Sequence, residues 1–208
     1  MKMKLGRVSY PPSLKEVTLT IPRGITYLSG SNGAGKSTLL DCLSGVNPAY
    51  EGTILGNESV VYLNQQLYFS PRLRARDFLD FVCQLEGIKA YEQLFNAFLK
   101  TYDWVETYES IQNKQVGKLS GGERRCFFFI VICFLEREWY LFDEPFAGVD
   151  EAGKKVMTNM MKALLRQGRN ILLTSHEKEP LHDFEALNVI ELTEGTLILK
   201  SVHKNHTD

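Results

Sequence analysis

The chain has 208 residues, 44% of them hydrophobic, with 24 basic side chains against 25 acidic ones. That length supports one well-buried core with room for a smaller subdomain, and excludes two full domains. The even charge balance does not point to steering toward nucleic acid or anionic lipid.

From the N-terminus, the basic segment MKMKLGRVSYPP is followed by no apolar stretch and no small-residue cleavage site, so it does not read as a secretory signal. After a break at Tyr10-Pro11-Pro12, Val17 to Ile21 and Gly24 to Leu28 read as strands separated by Pro22-Arg23, and together they predict a small β-region. A glycine-rich loop, SGSNGAGKST, follows over Ser29 to Thr38. Ser37 to Ser44 then spaces Leu39, Leu40 and Leu43 as a helix does, with Gly45 as its C-cap.

Short strands recur at Thr53 to Leu55 and Val60 to Leu63. Arg76 to about Tyr108 is helical in pattern, which predicts a helical insertion over about residues 70–120. A helix from Ser120 runs through Leu135, and its apolar stretch CFFFIVICFL stops at Glu136, Arg137 and Glu138, short of the roughly 20 residues of a membrane span. It reads as a buried core helix.

A strand at Trp139 to Phe142, a helix over Glu151 to Gln167, a strand at Asn170 to Thr174, and a closing pair at Ala186 to Leu192 and Thr196 to Val202 complete the order. The tail His203 to Asp208 is polar and is expected to fray. Cys42, Cys83, Cys126 and Cys133 lack CxxC spacing and sit in apolar or helical settings, as small buried hydrophobes in a reducing cytoplasm do. The order predicts one α/β domain over residues 1–208, with a mostly parallel sheet covered by helices.

The loop Gly30-Ser31-Asn32-Gly33-Ala34-Gly35-Lys36-Ser37 matches GxxxxGK[ST] between a strand and a helix. Glycines let successive N–H groups and the helix N-terminus turn toward phosphates. Lys36 then supplies a charge between the β- and γ-phosphates, Ser37 a ligand for Mg²⁺, and Thr38 a donor to an α-phosphate oxygen. A magnesium nucleotide site also needs a carboxylate at the end of a buried strand, and Asp143 is in that position. Glu144 follows it, and strand alternation is expected to aim it away from Asp143, where it could orient or deprotonate the attacking water. His176 emerges with Ser175 at the C-terminal end of another strand, within reach of the γ-phosphate or the water. His182, His203 and His206 read as surface residues.

Leu119-Ser120-Gly121-Gly122-Glu123 has no evident use within its own half of such a site, and it resembles the signature motif of the ABC ATPase family. With the P-loop, Asp143-Glu144 and Ser175-His176 it forms an ordered set of motifs spanning nearly the whole chain. The resemblance implies a P-loop NTPase core with a mostly parallel sheet, an N-terminal antiparallel β subdomain and a helical insertion, and a head-to-tail pair of ATP-binding subunits, identical or not, with ATP between one P-loop and the other subunit's Ser120, Gly121 and Gly122. A helix N-terminus of that composition is itself an anion-binding end. It further implies that Tyr10 stacks on adenine, that Asp150 of the stretch Phe146 to Asp150 crosses the dimer interface, and that Tyr62-Leu63-Asn64-Gln65 is the Q-loop. There Gln65 would touch Mg²⁺ and the water and report to a membrane partner, with Gln66 a competing assignment. Glu123 stands where many members have glutamine, and Cys126 to Leu135 is aromatic where small residues are commoner.

The function implied is that of an ATPase working with a separately encoded integral membrane permease, at the cytoplasmic face of the membrane and without nucleic acid. The stretch RDFLDFVCQLEG over Arg76 to Gly87, together with Thr174-Ser175-His176-Glu177, looks most like the exporter branch. A soluble ABC ATPase in cofactor assembly or similar work is the alternative. A P-loop phosphotransferase would share residues 30–38 but would have no use for Leu119 to Glu123.

Overall fold

The computed structural model describes residues 2–65 and 69–204, with side chains as far as residue 200. Strands β1 (Lys4–Tyr10) and β2 (Leu14–Thr20) pair antiparallel as a hairpin, after which β3 (Ile25–Ser29) leaves for a different sheet. The segment read as one β-region is therefore divided between two sheets. Helix α1 (Lys36–Ser44) follows β3 and ends at Gly45, whose φ of 77° makes it the left-handed cap expected. Strand β4 (Glu51–Leu55) returns to the free edge of β1 and completes a three-stranded antiparallel sheet.

Strand β1 itself was not anticipated, and its bulges explain why. Leu5 pairs with Leu19 and Val8 with Val17, so two residues of β1, Gly6 and Arg7, face one of β2, Thr18, and Arg7 sits at φ 53°. The extra residue breaks the period-2 alternation that marks a strand in sequence. A second bulge at Glu16, φ 46°, does the same in β2.

The larger sheet has six strands in the order β5-β6-β7-β3-β8-β9, numbering β5 (Val60–Leu63), β6 (Trp139–Phe142), β7 (Asn170–Leu173), β8 (Ala186–Thr193) and β9 (Thr196–Lys204) along the chain. The first five strands in that order run parallel, and β9 pairs antiparallel with β8. His203 and Lys204 are paired with Leu187 and Ala186, so this part of the tail is strand and not frayed; residues 205–208 lie outside the described ones.

The sheet is buried on both faces. Along β6, Trp139 and Leu141 pack with α1 and the small sheet, while Tyr140 and Phe142 pack with the helices on the other side. Those helices are α2 (Ala75–Leu85), α3 (Tyr91–Thr101), α4 (Val105–Ile111), α5 (Gly121–Phe134) and α6 (Glu151–Arg166). Every residue from Cys126 to Val131 of α5 is buried, as an all-round apolar helix must be.

The aromatic run of α5 joins the helical insertion to the sheet. Phe128 lies 4.8 Å from Phe78 of α2, Phe134 5.1 Å from Phe95 of α3, and Phe129 4.7 Å from Phe142 of β6, centroid to centroid. Each such pair adds about 0.5–1.5 kcal/mol beyond its buried area. All four cysteines are buried and free, and among the described residues no helix is long and apolar enough to cross a membrane.

Candidate active site

Parallel pairing puts the carboxyl ends of β3, β5, β6 and β7 on one edge of the sheet, and the residues singled out from sequence follow those ends. After β3 the chain turns through residues 30–35 into α1, with Gly35 as N-cap at φ 100° and no side chain capping the first turn. A Cβ on Gly35 would lie 3.0 Å from Ser13 Cβ and 3.1 Å from Ser13 O; one on Gly30 would lie 2.6 Å from Leu192 O. Glycine is thus required at both positions, because the loop is wedged between the β1–β2 turn and the end of β8. Lys36 Nζ curls back over the loop and donates to Gly30 O at 2.9 Å and Ser31 O at 3.0 Å.

Beyond β6, Asp143 and Glu144 are only 2% and 6% exposed. Thr174, just past β7, organises both. Its hydroxyl donates to Asp143 Oδ1 at 2.6 Å and accepts from the Glu144 N–H at 2.9 Å. Asp143 Oδ2 is buried without a hydrogen-bond partner among the described residues. Glu144 has φ 52°, a left-handed conformation that costs a non-glycine residue on the order of 1–2 kcal/mol. The expected strand alternation does not apply, because β6 ends at Phe142 and Glu144 lies in a left-handed turn; the Asp143 carboxylate meets the Thr174 hydroxyl and that of Glu144 the His176 N–H. Glu144 Oε2 accepts from the His176 N–H at 2.9 Å, and His176 Nε2 lies 3.4 Å from Oε1.

A cavity of about 410 Å³ gathers Asn32, Gly33, Gly35, Lys36, Ser37 and Thr38 with Gln65, Asp143, Glu144 and His176. Ser13 also lines it, at the turn after Tyr10, and its N–H donates to Tyr10 O at 2.9 Å. Tyr10, the last residue of β1, is half-buried against the core beneath that turn, and it is not part of the cavity lining. Gly30, Ser31 and Ala34 of the same loop do not line the cavity. Gln66 lies outside the described residues.

Ser120, Gly122 and Asp150 line a different cavity, of about 350 Å³, and the chain does not bring them to the phosphate loop. Ser120 caps α5: its Oγ accepts from the Glu123 N–H at 3.1 Å, while Glu123 Oε2 accepts from the Ser120 N–H at 2.7 Å. That backbone hydrogen bond holds the Glu123 carboxyl below its ordinary range. Asp150 caps α6 by accepting from the Gly153 N–H at 2.8 Å. Gly121 and Gly122 form the first turn of α5, where helical N–H groups have no partner within the helix.

Sequence reasoning missed Thr174 as more than a strand end, Ser13, and Arg125. The guanidinium of Arg125 donates to the carbonyls of Asn64, Gln65, Asp143 and Glu144. No motif marks these residues, since their partners lie far away in the chain. Only the expectation that an interior charge must be paired flags an arginine two residues before an aromatic triplet.

A glycine loop between strand and helix, facing two buried acids just past the end of one parallel strand, defines a P-loop nucleotide hydrolase. The model of the family described as ABC transporter matches residues 14–147. An ABC transporter ATP-binding protein of Listeria monocytogenes is 30% identical over 191 residues, covering 82% of this chain and 69% of that one. A manganese transport system ATP-binding protein of Listeria innocua is 29% identical over 180 residues, 79% of this chain and 74% of that one. A solved structure of an ATP-binding subunit of an ABC transporter shares the fold with a TM-score of 0.81 at 20% identity, covering 99% of this chain and 90% of that one. The chain belongs to the ABC transporter family, as an ATP-binding subunit that hydrolyses ATP.

Proposed function

We propose that residues 1–208 act as one ATPase domain, with the helical subdomain at about 70–120, that closes on ATP together with a second ATP-binding subunit and drives a separately encoded membrane permease. The observation that carries this reading is the convergence of the phosphate loop with Asp143 and Glu144 on one cavity, both acids anchored by Thr174.

In this reading Lys36 exchanges its contacts with Gly30 O and Ser31 O for phosphate oxygens, and the backbone of Gly30 to Thr38 cradles them. The residues present fit a magnesium ion: Asp143 offers a buried oxygen without a partner, and Ser37 and Gln65 line the same cavity. Bound there, Mg²⁺ would neutralise phosphate charge. Glu144 takes the proton of the attacking water, and His176, within 3.4 Å of it, orients the water or the γ-phosphate. Tyr10 stacks on adenine at the rim marked by Ser13.

The partner subunit supplies what this cavity lacks. Gly121 and Gly122 present first-turn N–H groups to the γ-phosphate bound by the other subunit, with Ser120 beside them, and Asp150 lies at the same interface. Work done at the cytoplasmic face then reaches the permease through Gln65. Export is the direction suggested by Arg76 to Gly87 together with Thr174 to Glu177.

Capture of the tagged chain from a detergent extract of its own cells tests the reading. A co-purifying protein with spanning helices that stimulates ATP hydrolysis supports it, and transport into or out of inverted vesicles assigns the direction. Recovery of the chain only in soluble complexes, with no membrane protein, would instead mark a non-transport ABC ATPase.

A further inference from the structure

Arg125 lies in the second turn of α5 and is half-buried. Its Nη1 donates to Asn64 O at 3.3 Å and Gln65 O at 2.9 Å; its Nη2 donates to Asp143 O at 2.8 Å and Glu144 O at 2.6 Å. One planar cation thus spans the ends of two adjacent strands, β5 and β6, from a third element. An arginine is always charged and carries its donors in a rigid fork, so it fits four carbonyls where an ammonium on a flexible stem would satisfy only some of them.

The consequence falls on Glu144. Its left-handed backbone is held at both ends, the N–H by Thr174 Oγ1 and the carbonyl by Arg125 Nη2 at 2.6 Å and, at a longer 3.3 Å, by the Ala147 N–H. Without the guanidinium only that longer contact restrains the carbonyl, and a non-glycine residue is free to relax out of this conformation, drawing its carboxylate from the His176 N–H. The same guanidinium holds Gln65, so a displacement of residues 64–65 is delivered to Glu144 through one rigid group. Tilting of the N-terminal end of α5, which carries Ser120 to Gly122, moves that group as well.

We propose that Arg125 is a positioning residue that makes the orientation of the Glu144 carboxylate depend on the placement of the Asn64–Gln65 segment and of the first turn of α5. This rests on the role proposed above for Glu144. It ties hydrolysis to two surfaces, one at the Q-loop and one at the signature helix, without Arg125 touching nucleotide.

The test compares Arg125→Ala, Arg125→Lys and Glu144→Gln in the purified full chain, reading steady-state hydrolysis, binding of a fluorescent ATP analogue and thermal melting. Arg125→Ala is expected to lower kcat about ten- to hundredfold, since small misplacements of a reacting group cost that much, with nucleotide affinity within about threefold of wild type. Arg125→Lys recovers part of the rate. Arg125 lines a cavity of about 600 Å³ together with Gln65, Gly121 and Phe128, wide enough for a small cation. Methylguanidinium at millimolar concentration therefore raises the rate of Arg125→Ala, and methylammonium does not.

Wild-type kcat in Arg125→Ala, with Glu144→Gln inactive, overturns this proposal alone. So does a loss of rate that follows lost affinity and lost melting temperature and that methylguanidinium leaves unchanged, because a plain structural staple behaves that way. Should Arg125→Ala not fold, Arg125→Lys decides: a kcat equal to wild type refutes positioning by the fork, and a lower kcat at unchanged affinity supports it. Wild-type hydrolysis by Glu144→Gln overturns the reading of Glu144 itself, and the role of Arg125 with it.

Discussion

The hydroxyl of Thr174 donates to Asp143 Oδ1 at 2.6 Å across the boundary between β7 and β6, and the same oxygen accepts from the N–H of Glu144. Two acids with different proposed tasks thus take their positions from one side chain that lies outside their shared loop. Replacing Thr174 by valine leaves a carboxylate oxygen and an N–H buried and unpaired, at about 1–3 kcal/mol for each. Thr174→Val is expected to melt lower and to lose about tenfold or more in kcat with ATP affinity little changed. Thr174→Ser keeps the hydroxyl and most of the activity. Equal turnover for valine and wild type would remove Thr174 from the account.

The partnerless Oδ2 of Asp143 gives a prediction about metal. Hydrolysis is expected to stop on addition of EDTA and to return with excess Mg²⁺. Asp143→Asn removes the charge while keeping the shape, so the Mg²⁺ concentration for half-maximal rate rises about tenfold or more. A titration of rate against free Mg²⁺ checks both, and an unchanged midpoint in Asp143→Asn contradicts the assignment.

Ser120, Gly122 and Asp150 line a cavity apart from the phosphate loop, which is the arrangement a shared site between two subunits needs. Ser120→Arg and Lys36→Ala should each be inactive alone. If like chains pair, an equal mixture forms half its dimers with one intact composite site, and recovers about a quarter of wild-type activity. No recovery after mixing and re-equilibration, with both variants still dimerising on ATP, contradicts the head-to-tail arrangement.

The thiols respond first to burial, with nearby acidic groups adding in the same direction. Burial pushes Cys42 and Cys83 up to about 11 and Cys126 up to about 12, and Cys133 rises well above its ordinary value for the same reason. Only the thiolate reacts with iodoacetamide, so at pH 8 even Cys42 offers about a hundredfold less reactive form than a thiol at the ordinary value. Mass spectrometry is expected to find the folded chain unmodified at pH 8 and all four cysteines modified in denaturant. Rapid modification of any one of them in the folded chain would show that its helix opens.

What could be read in the sequence was what lies contiguous in the chain. Gly30 to Thr38 carries its strand, loop and helix in one run, and Trp139 to Glu144 shows its buried strand and terminal acids directly, so their meeting at one sheet edge was foreseeable. The buried character of α5 was legible for the same reason. Strand β1 was not, because the bulge at Arg7 shifts its apolar residues off alternation. Nor was the left-handed turn at Glu144, since its cost is offset by Thr174 and Arg125, partners 30 and 19 residues away. Such contacts have no local pattern. The division of β2 and β3 between two sheets is a question of topology that alternation alone leaves open.

The most direct measurement of the central claim is the mass in solution of Glu144→Gln with Mg²⁺ and ATP, taken together with the fate of the nucleotide. The carboxamide keeps the shape of Glu144 but cannot take a proton from water, so ATP should bind and persist. The account predicts a dimer holding unhydrolysed ATP, with turnover at least about a hundredfold below wild type. A Glu144→Gln chain that stays monomeric and hydrolyses ATP at the wild-type rate would contradict it.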